Sequence, residues 1–145
     1  MKNHNMKHLD NSETRTINPK LGYLGILGLL GFLGIWSYGI NKTIFPFIFF
    51  SFFGFFGFFF EGKMSNTFID ERFLDNKRNA DLNSYHIGVG LSFVTLIASS
   101  WGWLWPTNEA VLIFFTVSLS LISALVVFLK EYLLYKYDHN ENNEE

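Results

Sequence analysis

Two stretches of sequence decide the fold: LGYLGILGLLGFLGIWSYGI at residues 21–40 and FPFIFFSFFGFFGFFF at residues 45–60. Glycine falls at every third position through the first stretch, and the second repeats the spacing with Ser51, Gly54 and Gly57 among pairs of phenylalanines. A glycine in a water-exposed helix costs about 1 kcal/mol relative to alanine. Between helices in lipid, the same residue lets two backbones approach closely. The pattern therefore predicts a membrane protein built on close helix packing, and it indicates no reaction.

Four segments of the 145-residue chain contain no Asp, Glu, Lys or Arg: 21–40, 44–60, 87–105 and 110–129. At about 1.5 Å per residue, each has roughly the length of a bilayer's hydrocarbon core, and the second is the shortest. The predicted fold class is all-α, an integral membrane four-helix protein made of two antiparallel transmembrane hairpins. The predicted segments are an N-terminal tail at 1–20, a Gly/Phe-rich hairpin at 21–60, a loop at 61–86, a second hairpin at 87–130 and an acidic tail at 131–145.

The loop between the two hairpins is the longest polar segment between spans. Within it, Thr67-x-x-Asp70 resembles a helix capping box, and the charges that follow run from acidic to basic, which suits the helix dipole. We therefore predict a short cytoplasmic amphipathic helix over about 68–80, lying at the membrane surface. The carboxylates of this segment alternate with Lys and Arg, which favours a solvated, self-paired helix face over an acid–base site.

Lysine and arginine are distributed very unevenly about the four predicted spans. Lys42 is the single Lys or Arg on one side, out of eleven in the chain, so that the side with both termini and the loop carries the rest. The positive-inside rule then places both termini in the cytoplasm. The four Trp residues fall at the predicted outer interface and five of the six Tyr residues at the inner one. The predicted localisation is the cell membrane, with a multi-pass topology.

The glycine row predicts how the first hairpin packs. In an α-helix, a step of three residues advances by about 300°, so each glycine lags behind the previous one by about 60°. From Gly22 to Gly34 the row would then swing about 240° around the helix. This predicts a groove free of side chains and inclined to the helix axis, with the Phe-rich second span as its nearest partner. A low-complexity apolar span that needs only to insert is the alternative that stays open.

Small and hydroxyl-bearing residues recur at spacings of four and three along the third and fourth spans, which keeps them on one face of each helix. They predict a helix–helix contact with hydroxyl hydrogen bonds between the helices, either within the chain or with a second copy or another membrane protein. The candidate helix-packing residues are Gly22, Gly25, Gly28, Gly31, Gly34, Gly54, Gly57, Gly88, Ser92, Thr95, Ser99, Gly102, Thr116, Ser120 and Ser123.

The chain offers little for chemistry. No Asp, Glu, Lys or Arg lies within the four predicted spans, although ion-coupled carriers ordinarily need such residues. A phosphate-binding loop, a nucleophile elbow and a zinc-protease motif are absent from the sequence, as is cysteine. We predict no catalytic, cofactor-binding or metal-binding residues, and hence no enzyme. Without a cluster of basic residues we predict no nucleic-acid partner; the expected partners are the lipid bilayer and a membrane protein or further copies of the chain.

Three parts of the sequence carry a resemblance: KLGYLGILGLLGFLG (Lys20–Gly34), FFGFFGFFF (Phe52–Phe60) and DERFLDNKRNA (Asp70–Ala80). Together they resemble a family of small bacterial Gly/Phe-rich multispanning membrane proteins, classed as a domain of unknown function. The resemblance covers most of residues 20–130. It implies an integral membrane location and supplies no catalytic or binding residues.

We expect a non-catalytic small integral membrane protein that acts by association with other membrane components. Its size and topology suit an envelope-stress accessory or an immunity (self-protection) accessory. The alternative is an oligomeric channel, pore or holin-like protein, in which the hydroxyls of the third and fourth spans line a narrow polar path.

Overall fold

The computed structural model of the chain describes residues 18–64 and 69–141, and these residues form four long helices and no strand. The prediction of an all-α chain is therefore confirmed over the described residues. The bounds of the helices are Pro19–Asn41 for helix 1, Phe45–Lys63 for helix 2, Glu71–Ser100 for helix 3 and Asn108–Glu141 for helix 4.

Helices 1 and 2 are 3₁₀-helical over most of their length. Helix 1 is a 3₁₀-helix over Pro19–Phe32 and an α-helix over Leu33–Asn41. Helix 2 is a 3₁₀-helix over Phe45–Gly57 and an α-helix over Phe58–Lys63. A 3₁₀-helix has about three residues per turn, so a repeat of three residues runs straight along one face. The prediction that the glycine row wraps about 240° around an α-helix is therefore wrong.

The 3₁₀ geometry also changes the length of the second span. A 3₁₀-helix rises about 2.0 Å per residue, against about 1.5 Å in an α-helix. Helix 2 is therefore about 35 Å long, which exceeds the roughly 30 Å hydrocarbon core of a bilayer. Helix 2 is therefore long enough to cross a bilayer, although it contains the shortest of the four charge-free segments.

The predicted short amphipathic helix is not a separate element. The Asp70 side chain accepts a hydrogen bond from the backbone N–H of Phe73 at 2.7 Å, and it caps a helix that continues without a break to Ser100. Thr67, the other half of the predicted capping box, lies outside the described residues. The charged first half of helix 3 packs on the part of helix 4 that extends beyond residue 129, and this contact supports one continuous helix.

The helices pack in the order 1, 2, 4, 3. In the part of the chain that the structure describes, helix 1 packs on helix 2, helix 2 on helix 4, and helix 4 on helix 3. The main contacts of the described helices thus follow a row in which helices 1 and 3 are the two edges, and the hydrogen bond from Tyr38 to Glu109 also joins helix 1 to helix 4 at one end.

Contacts between named residues give the directions of the helices. Helices 1 and 2 are antiparallel, because Gly22 lies opposite Phe59 and Gly34 lies opposite Phe47. Helices 2 and 4 are parallel, because the contact of Gly54 with Ala124 is followed by the contact of Phe60 with Tyr132. Helices 3 and 4 are antiparallel, because Asp81 pairs with Lys130 and the later Gly88 contacts the earlier Val126.

Three helices in the described residues are long and apolar enough to cross a membrane, by length and composition: Pro19–Asn41, Phe45–Lys63 and Asn108–His139. Helix 3 is not among them, since its first half is polar and charged.

Candidate functional site

The contact between helices 1 and 2 consists of glycines that face phenylalanines. The pairs follow one another in strict order: Gly22–Phe59, Gly25–Phe56, Gly28–Phe53, Gly31–Phe50 and Gly34–Phe47. All five glycines are buried. A Cβ atom built on Gly28 would lie 2.5 Å from the Phe53 ring, and one built on Gly22 would lie 2.8 Å from the Phe59 ring. No side chain fits at these positions unless the facing ring moves.

The phenylalanines of helix 2 stack along the helix. The ring centroids of Phe50 and Phe53 are 6.0 Å apart, and those of Phe53 and Phe56 are 6.1 Å apart. A second row stacks in the same way, with Phe49 and Phe52 at 5.8 Å. These spacings match the pitch of about 6 Å of a 3₁₀-helix, in which side chains three residues apart eclipse one another. A phenylalanine every three residues therefore suits a 3₁₀-helix in two ways. The rings stack on one another along helix 2, and one row of them faces the glycines of helix 1.

Gly54 and Gly57 of helix 2 face helix 4, whereas Gly62 near the end of helix 2 lies against Pro19 of helix 1. A Cβ atom built on Gly54 would lie 2.8 Å from the Ala124 carbonyl oxygen, and one built on Gly57 would lie 3.0 Å from the Phe128 Cα. Ser51 lies one turn earlier on the same ridge and is half-buried. Helix 2 thus uses one ridge of phenylalanines for helix 1 and one ridge of small residues for helix 4.

The predicted stripe of small residues on helix 3 lies along helix 4. Gly88 is buried in direct contact with Val126, and Thr95 is buried further along. Ser92 and Ser99 are half-buried. The stripe continues into the charged half of the helix through Asn76, Ala80 and Ser84, which are all buried; the sequence did not indicate Asn76 and Ser84.

The hydroxyl groups of both stripes donate to carbonyl oxygens of their own helices. In helix 3, Ser92 and Thr95 donate to the carbonyls four residues earlier, at 2.8 and 2.9 Å. In helix 4, Ser120 and Ser123 do the same at 2.8 Å. The expectation of hydrogen bonds between the helices is wrong for these four groups, because a Ser or Thr in a helix has a carbonyl of the preceding turn within reach.

Some predicted packing residues lie away from the helix contacts. Gly102 lies beyond the end of helix 3, exposed, and nothing lies within 4 Å of a Cβ built on it. Helix 3 ends at Ser100, so the helical spacing that selected Gly102 no longer applies there. On helix 4, Ser120 is buried and Thr116 half-buried, whereas Ser123 is exposed.

A polar cavity lies between helices 2, 3 and 4 at the end of the row where helix 2 terminates. Its volume is about 330 Å³. Lys130 Nζ lies 3.3 Å from Asp81 Oδ1 beside it. Two carboxylates of the lining, Glu61 and Glu131, are each only 5% exposed. The polar lining comprises Glu61, Lys77, Tyr85, Lys130 and Glu131, and the apolar lining comprises Phe58, Val126, Val127 and Leu134.

A small apolar core lies next to the cavity and holds its walls together. Met64, Phe73, Ala80 and Leu134 form this core, and Leu134 is 1% exposed. At the same end, the side-chain amide of Asn83 donates to the Tyr137 hydroxyl at 2.8 Å, and the Lys63 ammonium lies 5.4 Å from the centres of both the Phe60 and the Tyr135 rings.

The sequence did not single out Glu61 and Glu131. Glu61 ends the apolar run of helix 2, and Glu131 follows Lys130 directly. Each reads as an ordinary charged residue at the end of a span, and the two are far apart in the chain. Only the parallel packing of helices 2 and 4 brings them to one cavity.

The cavity offers carboxylates, ammonium groups and a phenol beside apolar walls. Such a lining can hold a charged group that is attached to an apolar body. Among the residues that the structure describes, no group of three or more His, Asp or Glu residues could hold a metal ion.

Comparison with protein-family models, with curated proteins and with solved structures found no match to this chain. The resemblance to small Gly/Phe-rich membrane proteins stays a prediction, and function is inferred from the geometry of the chain itself.

Proposed function

We propose that the chain is a non-catalytic integral membrane protein with four membrane-crossing helices, arranged as two antiparallel hairpins, that acts by association with other membrane components. The distribution of side chains on helix 1 carries this proposal. Its five repeated glycines are buried. The neighbouring ridge of leucines is between 39% and 50% exposed: Leu21, Leu24, Leu27, Leu30 and Leu33. Single exposed leucines are ordinary in soluble proteins, but a contiguous exposed apolar surface of this kind meets a membrane or a partner.

The packing directions support four crossings although helix 3 is the least apolar helix. Helices 2 and 4 are parallel, so the chain between them has to return across the distance that helix 2 covers. Helix 3 makes this return, since its 30 residues span about 45 Å. One face of helix 3 is covered by helix 4, so fewer of its polar groups meet lipid.

The charge distribution supports cytoplasmic termini. One end of the row joins helix 1 to helix 4 through a hydrogen bond of 2.7 Å that the Tyr38 hydroxyl donates to Glu109. In the described residues, Lys42 is the only Lys or Arg at that end, and the exposed Trp101 and Trp103 lie there as well. The opposite end carries the other Lys and Arg residues that the structure describes, as expected for the cytoplasmic side.

The outer face of helix 3 is the surface proposed for association. Helix 3 packs on helix 4 and exposes a row of large apolar side chains on its other side, among them Phe93 at 63% and Ile97 at 59%. In a cell, an accessory of this kind would serve envelope stress or immunity to a membrane-active agent.

The topology is testable because the chain contains no cysteine. Single-cysteine variants Lys42→Cys and Lys136→Cys would be treated with a membrane-impermeant maleimide in intact cells. We expect labelling at residue 42 without permeabilisation and at residue 136 only after it. Equal labelling of both variants in intact cells would contradict the two-hairpin topology.

The association surface is testable by photocrosslinking in native membranes. A photoreactive amino acid at Phe93, on the exposed face, is compared with one at Thr95, which is 5% exposed against helix 4. We expect a discrete protein adduct from position 93 and only crosslinks within the chain from position 95. Lipid adducts alone at position 93 would rule out association through this face.

The alternative of a channel or pore has less support. The hydroxyls that would line a path lie largely along the contact of helices 3 and 4 and donate to their own helices. Liposomes that contain the purified protein should therefore retain ions and dye.

A further inference from the structure

Helices 1 and 2 contain 3₁₀ segments of 14 and 13 residues. Runs longer than about four residues are uncommon, because the hydrogen bonds of a 3₁₀-helix have poorer geometry than those of an α-helix. Helices 3 and 4 of the same chain are α-helical throughout. A feature specific to helices 1 and 2 therefore has to compensate for the weaker backbone hydrogen bonds.

The ordered glycine–phenylalanine pairs supply this compensation. Four of the five glycines, Gly22 to Gly31, lie in the 3₁₀ segment, where a step of three residues keeps them on one face; in an α-helix successive glycines would rotate away by about 60°. The two 3₁₀ segments end at Phe32 and Gly57, each two residues before the last member of its repeat, Gly34 in helix 1 and Phe59 in helix 2. The helix type and the contact thus depend on each other.

Conversion to an α-helix would shorten both segments. Each would lose about 6 to 7 Å of its length, because the rise per residue falls from about 2.0 to about 1.5 Å. The α-helical stretches Leu33–Asn41 and Phe58–Lys63 adjoin the 3₁₀ segments, so the α form can extend from an existing turn and needs no new nucleus.

We propose that helices 1 and 2 respond to the thickness of the bilayer. Thick bilayers favour the paired and longer 3₁₀ form, and thin bilayers favour a shorter α-helical form in which the glycine–phenylalanine pairs are broken. The physical basis is hydrophobic mismatch, which disfavours an apolar segment whose length differs from that of the lipid core. The inference rests on the proposed function, since it requires both helices to cross the membrane.

Distances between spin labels test this proposal in the full-length chain. Leu21 and Leu33 lie on one exposed ridge of helix 1, so a Leu21→Cys/Leu33→Cys variant can carry a label pair. Their separation should be about 24 Å in the 3₁₀ form and about 18 Å in the α form. The control pair is Leu82→Cys/Val94→Cys, equally spaced and exposed on the α-helical helix 3.

The labelled proteins would be reconstituted in vesicles of phosphatidylcholines whose acyl chains range from fourteen to twenty-two carbons. We expect the helix 1 distance to fall by about 6 Å from the thickest to the thinnest bilayer, while the control pair stays near 18 Å. A helix 1 distance that does not change with thickness would overturn the proposal.

Two further measurements separate the outcomes. Oxygen accessibility of a single label at Leu27→Cys reports contact with lipid; a label that is not in lipid refutes the proposed membrane insertion and this inference together. A label in lipid with a constant helix 1 distance refutes this inference alone.

The role of the pairs is tested by Phe53→Ala, which removes the ring facing Gly28. In this variant the helix 1 distance should already shorten in thicker bilayers than in the unchanged protein. Phe52→Ala, which removes a ring that faces no glycine, should have a smaller effect, and equal effects of the two variants would contradict the role of the pairs.

Discussion

The contact between helices 1 and 2 differs from the contact between helices 3 and 4 in the kinds of interaction that hold the helices together. The first is a match of shapes, in which glycines receive phenylalanine rings along two 3₁₀-helices. The second joins two α-helices through Gly88 against Val126 and adds the Asp81–Lys130 ion pair and the hydrogen bond from Asn83 to Tyr137. The comparison shows that register can be specified by shape alone or by shape together with polar pairing.

The two kinds of contact should respond differently to substitution. At the glycine–phenylalanine contact a single added side chain meets a ring at each position, and five equivalent pairs share one register, so one change disturbs all of them. At the contact of helices 3 and 4 the interactions are of several kinds, and the loss of one leaves the others in place. Four predictions follow this difference from the largest effect to the smallest.

Gly28→Leu should cause the largest loss. A Cβ at this position already lies 2.5 Å from the Phe53 ring, so a whole leucine side chain requires the helices to separate. We expect a loss of unfolding free energy of about 4 kcal/mol or more, at the upper end of overpacking effects. Reversible unfolding in mixed micelles measures it. Gly39→Leu is the matched control, since nothing lies within 4 Å of its Cβ, and equal losses in both variants would contradict the shape match.

Leu134→Ala should destabilise the polar end of helices 3 and 4 by about 3 kcal/mol, because it opens a cavity in the small core. Leu134 is 1% exposed among Met64, Phe73 and Ala80. Leu82→Ala, at a position 46% exposed on helix 3, should change stability by less than about 0.5 kcal/mol. The same unfolding assay measures both, and a cost below about 1 kcal/mol for Leu134→Ala would show that this core contributes little.

Gly88→Ala should cost about 1 kcal/mol, because its new methyl group meets the Val126 side chain. This net loss requires the steric clash to cost more than the roughly 1 kcal/mol by which alanine stabilises a helix relative to glycine. Gly90→Ala, with open space around its Cβ, should show the gain without the clash. Val126→Ala introduced into the Gly88→Ala variant should recover part of the loss. A lack of any recovery would place the cost elsewhere.

The Asp81–Lys130 pair should have the smallest effect. Both side chains are about one-third exposed, so solvent screens their attraction. A double-mutant cycle with Asp81→Asn and Lys130→Gln should give a coupling of less than about 1 kcal/mol that falls as salt is added. A coupling above about 2 kcal/mol would mean that this ion pair, and not shape, specifies the register of helices 3 and 4.

Much of the chain could be predicted from local patterns, and two predictions were wrong for different reasons. The four charge-free segments follow from composition, and each contributes to a helix of the structure. The separate helix at 68–80 was wrong because the local signals do not show that the charged segment packs along helix 4 and continues as one helix into the third apolar segment. The predicted packing role of Gly102 failed because the spacing continued past the true end of helix 3 at Ser100.

The site was harder to predict than the fold. Glycine spacing singled out the residues of the first contact, and chain proximity indicated helix 2 as their partner. The cavity with Glu61 and Glu131 had no local signal, because three helices contribute its lining and their order in the row depends on contacts between distant residues. Likewise, Asn76 and Ser84 are polar residues whose burial depends on the presence of helix 4.

The sequence by itself determined where the apolar segments lie, how unevenly Lys and Arg are distributed around them, and that glycine recurs every third residue. Only the tertiary structure decided what that repeat does. An isolated chain favours the α-helix, whose hydrogen bonds have better geometry, and in that form the glycines would wrap around helix 1. The phenylalanines of helix 2 favour the 3₁₀ form over Pro19–Phe32, because three residues per turn let the successive glycines of that segment face one row of rings. Helix type, which is usually a local property, is here a consequence of packing.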